Sequence, residues 1–228
     1  MKLLIISVLL TLSFPTLAAK INMTGVVSGM GSSSKRVISL TERKFIGVEK
    51  QQTDFSCGAA SVATILKYSY NMPTNEKWVM DGMLAMADPE LVSQFGFSML
   101  DMKNYVEMLG MEAKGFQVKS ENIGELTIPS IVLLNLNGFH HFVVLKKVDA
   151  QQRVYLADPA LGNKIIPMEE FLAGWNNIVL AIVGQGYDKN SILANPALPL
   201  TARGRDGRFT PVSDAALMEF GFNYKDLL

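Results

Sequence analysis

The sequence predicts an α+β fold with helices first and an antiparallel sheet second. Three observations carry this. Between residues 57 and 110 apolar positions recur at helical spacing behind good N-cap signals. Beyond residue 115 the period drops to two and β-branched residues dominate. Consecutive strands in the second half have hairpin-like links, which antiparallel pairing allows and parallel pairing forbids.

The elements follow in order. Lys20 to Ser34 is polar and Gly/Ser-rich and reads as a flexible leader. Val37 to Val48 alternates partially with β-branched residues and is expected to be extended or a hairpin. Ser56 precedes the first helix, Cys57 to about Tyr68, with Ala60, Ala63, Ile65 and Leu66 toward a core. Thr74 is the expected N-cap of a second helix reaching Met86, with Glu76 in its first turn. Asp88-Pro89 opens a short helix, and Ser98 to Asp101 resembles a capping box for a helix stopped at Gly110. Strands are expected at Gly115–Val118, Ser130–Leu136, His141–Val148 and Val154–Ala157. A helix over Pro167 to Gly174 then leads to a last strand, Ile178–Val183. Trp78, Trp175 and the scattered methionines read as core. From Gln185 onward the chain reads as loop, with Ser213 or Asp214 as caps of a final helix.

The N-terminus points to export. Lys2 supplies a positive start, Leu3 to Leu12 is apolar, and Pro15 precedes the small pair Ala18-Ala19. This is the layout of a signal peptide over residues 1–19, too short for a stable bilayer anchor, and it implies a periplasmic location. Roughly 200 residues remain, enough for one domain with its own core. Lys plus Arg and Asp plus Glu number 21 each, so no basic surface suits nucleic acid or an anionic membrane. No second run approaches the length of a membrane span. No Gly-rich phosphate loop, Cys-x-x-Cys or His-Glu-x-x-His occurs, so no cofactor or metal is expected.

There is one cysteine in the chain, Cys57, and two histidines, His140 and His141. A lone thiol in an oxidising compartment is a liability, because it can be oxidised or captured as a mixed disulfide. Cys57 sits where a turn becomes an apolar helix, and unpaired N–H groups there favour a thiolate nucleophile. Side chains alternate along a strand, so only one of the adjacent histidines can address Cys57, and His141 is the choice. Asp158 ends the next expected strand, and a hairpin turning near Asp149 to Gln152 brings it beside His141. The set is a nucleophile, a base and an orienting carboxylate. The backbone N–H of Cys57 and a side-chain amide from Gln51 or Gln52 are available to a developing oxyanion.

Gln51-x5-Cys57-Gly-Ala-Ala-Ser, His141-Phe-Val-Val and Ala157-Asp158-Pro-Ala-x-Gly162 together resemble the bacteriocin-processing peptidases. These are papain-like cysteine peptidase domains, often fused to ABC transporters, that cut exported peptides after a double-glycine leader. The resemblance runs from about Val48 to Val183. It implies catalytic Cys57, His141 and Asp158, with Gln51 rather than Gln52 at the oxyanion. It implies a papain-like α+β domain over 48–184, leaving 20–47 as leader and 185–228 as an extension. The chain departs from the transporter-fused forms in lacking a transmembrane region and an ATPase. In size and layout it resembles a stand-alone exported form that serves a functional-amyloid secretion system. A protein or peptide substrate in the export pathway, and docking to a secretion system, follow as expected partners. Two other readings are an acyltransferase using the same Cys, His, Asp order and an idle, peptidase-like binding module for an exported partner.

Overall fold

The structure is a computed structural model that describes residues 20–23, 33–36, 39–136 and 138–197. The signal peptide expected over 1–19 and the helix caps expected at Ser213 or Asp214 lie outside the described residues. The chain divides into two units at Lys44–Phe45.

In the first unit, β1 (Lys20–Met23) pairs antiparallel with β2 (Ser33–Arg36), where the sequence suggests only a flexible leader. α1 (Leu40–Lys44) replaces the extended segment expected over Val37 to Val48. A capping box explains the difference. The Ser39 N–H donates to Glu42 Oε2 at 2.7 Å, and the Glu42 N–H donates to Ser39 Oγ at 3.0 Å. Reciprocal satisfaction of two backbone donors outweighs a weak alternation of β-branched residues.

The second unit places four helices ahead of the sheet: α2 (Cys57–Ser69), α3 (Glu76–Leu84), α4 (Pro89–Phe95) and α5 (Met99–Met108). From Cys57 to Leu66 every residue of α2 is buried, so this is a core helix rather than an amphipathic one. α3 is capped by Asn75, whose side chain accepts the Trp78 N–H at 2.9 Å, and not by Thr74. Trp78 is 59% exposed, contrary to its assignment to the core, whereas Trp175 is 6% exposed. Asp88 caps α4 ahead of Pro89, and Ser98 with Asp101 forms a true capping box on α5. Gly110, at φ 78°, ends α5 by donating to Glu107 O while Met111 donates to Val106 O. That left-handed residue is the reason for a glycine there.

Six strands form one antiparallel sheet: β3 (Glu112–Gln117), β4 (Ser130–Leu136), β5 (Phe139–Val148), β6 (Arg153–Asp158), β7 (Gly162–Pro167) and β8 (Trp175–Val183). Their spatial order is β3-β8-β4-β5-β6-β7. A 3-10 turn (Ser120–Glu125) and α6 (Met168–Gly174) complete the unit. β7 has no counterpart in the sequence reading. Its alternation is masked by Asn163 and Lys164, and it pairs only because it follows β6 as a hairpin.

Alternation along the strands divides the interior. Ile131, Phe142, Val144, Ala157, Leu180 and Ile182 pack with the buried residues of α2, α3 and α5. Val132, Leu134, Val143, Leu145, Val154, Leu156 and Val179 pack with Phe171 and Trp175 instead. Segment 185–197, the start of the expected C-terminal extension, packs within this unit. Leu193 is fully buried, Tyr187 packs on Tyr70 at 5.7 Å, and the Asp188 N–H donates to Ser69 O at 2.8 Å.

Candidate active site

Cys57 is the first residue of α2 and 7% exposed. Ser56 before it is fully buried, but its hydroxyl does not cap the helix. It turns back to Thr53, accepting the Thr53 N–H at 3.2 Å and donating to Thr53 O at 3.0 Å. The side chain at the N-cap position therefore leaves the first-turn N–H groups of α2 to other acceptors. Segment 48–52 is pinned to α2 as well, through Glu49 N–H to Thr64 Oγ1 at 3.0 Å and Lys67 to Glu49 at 2.6 Å.

His141 lies near the start of β5, opposite Leu134 of β4, and is 4% exposed. Its Nε2 lies 2.8 Å from Asp158 Oδ1 at the end of β6. The same oxygen accepts the N–H groups of Ala160 at 2.9 Å and Leu161 at 3.1 Å. Asp158 Oδ2 takes the Lys164 ammonium at 3.4 Å. This cluster is built by the β6–β7 hairpin, in which Asp158 pairs with Gly162 across three loop residues. Gly162 adopts φ 84°, the left-handed conformation such a loop requires. Phe139 stacks on the His141 ring at 6.1 Å while remaining 56% exposed.

The electrostatics follow from this packing. Burial alone pushes the His141 pKa down, but hydrogen bonding and Coulomb attraction to Asp158 and Cys57 outweigh it and raise it to about 9. Burial would raise the Asp158 carboxyl; His141 and the two backbone donors reverse this and hold it below its ordinary value. Asp158 and Cys57 thus both favour the charged form of the imidazole.

The remaining site candidates separate clearly. His140 is exposed, pairs with Asn135, and lines a groove of about 370 Å³ with Leu133, Gly174 and Trp175. Gln52 is exposed, its side chain donating to Lys50 O at 3.4 Å. Gln51 is half-buried; its Nε2 donates to Thr53 O at 3.1 Å and its Oε1 is buried with no hydrogen-bond partner. The Gln51 N–H donates to Pro159 O at 3.0 Å, tying this loop to the residue after Asp158. Sequence reasoning missed Lys164, because it missed β7, and it missed the Ser56–Thr53 lock, because a serine before a helix reads as a cap. Among the described residues no group of three or more His, Cys, Asp or Glu is arranged to hold a metal ion. No described helix is long and apolar enough to cross a membrane.

Residues 46–185 match the Peptidase C39 family. This chain belongs to the peptidase C39 family. It is a cysteine-type peptidase with the papain-like α+β fold of that family. Two relatives are similar over almost their whole length. One, from Pseudomonas aeruginosa, is 50% identical over 226 residues, 99% of each chain; the other, from Pseudomonas fluorescens, is 44% identical over 218 residues, 96% of each. Each bears the name probable functional amyloid protease FapD. Among solved structures, a double glycine motif protease from an AMS/PCAT transporter, in complex with the leader peptide, is 32% identical with a TM-score of 0.52. That match covers 60% of this chain and 91% of the other. The peptidase domain of Streptococcus ComA, 17% identical with the same TM-score of 0.52, covers 60% of this chain and 98% of its own and agrees in fold.

Proposed function

We propose that this C39 peptidase is exported to the periplasm and makes a specific cut in a protein of a functional-amyloid secretion system. The full-length similarity to proteins named functional amyloid proteases supports the system, and the layout of residues 1–19 supports export. The relative described as a double glycine motif protease supports a cut after small residues such as Gly-Gly.

The observation that supports the mechanism is the buried His141 ring, its Nε2 2.8 Å from Asp158 Oδ1, with Asp158 and Cys57 both raising its pKa. Cys57 Sγ, as thiolate, attacks the scissile carbonyl carbon. The negative charge that develops on the carbonyl oxygen is met by the Cys57 N–H at the start of α2 and by the Gln51 side-chain amide. His141 then gives its proton to the leaving amine as the C–N bond breaks, and a thioester remains on Cys57. Neutral His141 next takes a proton from water, which attacks the thioester; Cys57 leaves as thiolate and His141 is again cationic. Asp158 holds the ring orientation and favours its charged form throughout.

Incubation of the mature protein with the other exported proteins of the same secretion system tests the reading. One of them is expected to be cut at a single site by wild type and left intact by Cys57→Ala. Iodoacetamide should also alkylate Cys57 at pH 6 at least about tenfold faster in wild type than in His141→Ala. Equal alkylation rates would remove the Cys57–His141 pair from the mechanism, and processing by Cys57→Ala would remove the nucleophile.

A further inference from the structure

We infer that Glu76 is a positioning residue: its buried carboxylate clamps the Gln52 backbone and so holds the Gln51 amide toward the oxyanion. This rests on the reading of Gln51 given above. Glu76 is the first residue of α3 and only 3% exposed, an unusual place for a carboxylate. A first-turn acid is expected to face solvent beside its own helix terminus. Here Asn75 caps the helix, and Glu76 Oε1 instead accepts the N–H of Gln52, at 3.2 Å and 24 residues earlier in the chain.

Two consecutive backbone donors are thereby tied to different parts of the fold. The Gln51 N–H goes to Pro159 O beside the Asp158 hairpin, and the Gln52 N–H goes to α3. Between these ties the Gln51 side chain has a fixed root, and its Nε2 donates one hydrogen to Thr53 O. Gln51 Oε1 has no hydrogen-bond partner although it is buried. A buried orphan acceptor is uncommon and calls for a reason. The reason is orientation: turning the amide so that its NH2 serves both Thr53 O and an incoming oxyanion leaves Oε1 with nothing to accept. Glu76 holds the backbone that imposes this orientation.

Two small probes separate this role from a general structural one. p-Nitrophenyl acetate acylates Cys57 through a tetrahedral oxyanion, whereas iodoacetamide alkylates it by displacement with no oxyanion. Glu76→Asp keeps the charge and a good first-turn residue but shortens the reach by one methylene. Glu76→Gln removes the charge and keeps an oxygen at the same distance. Acylation is expected to slow about tenfold in Glu76→Asp, with alkylation within about twofold of wild type, while Glu76→Gln recovers most of the acylation rate. In a Gln51→Ala background, Glu76→Asp should add less than about twofold, because its effect passes through Gln51. Multiplicative losses in the double variant, or equal slowing of acylation and alkylation, would overturn the assignment. Gln51→Ala with wild-type acylation would instead remove Gln51 from the oxyanion site, and the role of Glu76 with it.

Discussion

At the scale of single residues, burial and hydrogen bonding separate neighbours that composition cannot. His140 and His141 are the same residue type one position apart, yet only His141 is buried against Asp158. His141→Ala is expected to lower turnover by at least about a hundredfold, and His140→Ala to retain most of it, measured as kcat/KM on a cleaved peptide. Equal losses would reverse the assignment. The pH profile gives a second check. Proton donation to the leaving amine needs the imidazolium, so activity should fall as pH rises through about 9, where His141 titrates. Asp158→Asn removes the stronger of the two favourable partners and leaves Cys57 alone to oppose burial, which disfavours the charged ring. Its basic limb should therefore move down by at least about one pH unit. An unmoved limb would mean that another group controls it.

Among elements, short loops and close approaches set the geometry more than helix propensity does. α6 meets β4 at Gly174, where an added Cβ would stand 2.8 Å from the Asn135 carbonyl oxygen. The obstacle is backbone and cannot swing aside. Gly174→Ala should thus destabilise the fold by about 1–3 kcal/mol in urea denaturation. It should also disturb the groove beside His140 more than the His141–Asp158 pair; an unchanged midpoint would show that α6 can shift freely. The capping signals of α4 and α5 were legible because Asp-Pro and Ser-x-x-Asp act within one turn. Ser39 and Glu42 carry the same kind of signal, and in this segment it competes with a weak β alternation. β7 was not legible, because a strand of Gly, Asn, Lys, Ile, Ile and Pro becomes one only when β6 offers it a ladder.

For the whole molecule, the boundary of the unit is decided by burial. The matched family region ends at 185, but Leu193 is fully buried and Tyr187 packs on Tyr70 beyond it. A chain ending at Gly184 should lose about 3–6 kcal/mol of stability relative to one ending at Ala197, read from denaturant midpoints. Matching midpoints would mean that the 185–197 segment adds nothing to the core. Stability should also depend on pH through His141. Its folded pKa of about 9 lies above the ordinary 6.5, so folding takes up a proton. That stabilisation is fully present below pH 6.5 and is lost as pH rises through 9, an effect on the order of 3 kcal/mol. Asp158, lowered on folding, adds the opposite edge: its share is present above the ordinary carboxylate range and lost as pH falls. His141→Ala should flatten the alkaline decline, and a wild-type stability constant from pH 6 to 10 would contradict the linkage.

The sequence by itself determined the class of fold, the order of the helices and most strands, and the set Cys57, His141, Asp158 and Gln51 as candidates. Those features are written locally, in caps, in periods of two and 3.6, and in the rarity of thiol and imidazole in this chain. Tertiary structure alone decided which amide turns inward, that Ser56 locks a loop instead of capping a helix, and that Glu76 and Lys164 stand behind the site. The Glu76 tie spans 24 residues, and Lys164 sits on a strand that exists only through its neighbour. The short-range bonds of Gln51 and Ser56 to Thr53 belong to a loop that the distant ties to Pro159 and Glu76 hold in place. A buried polar group finds its hydrogen bond wherever packing brings one, and packing over such distances is not encoded in any local pattern.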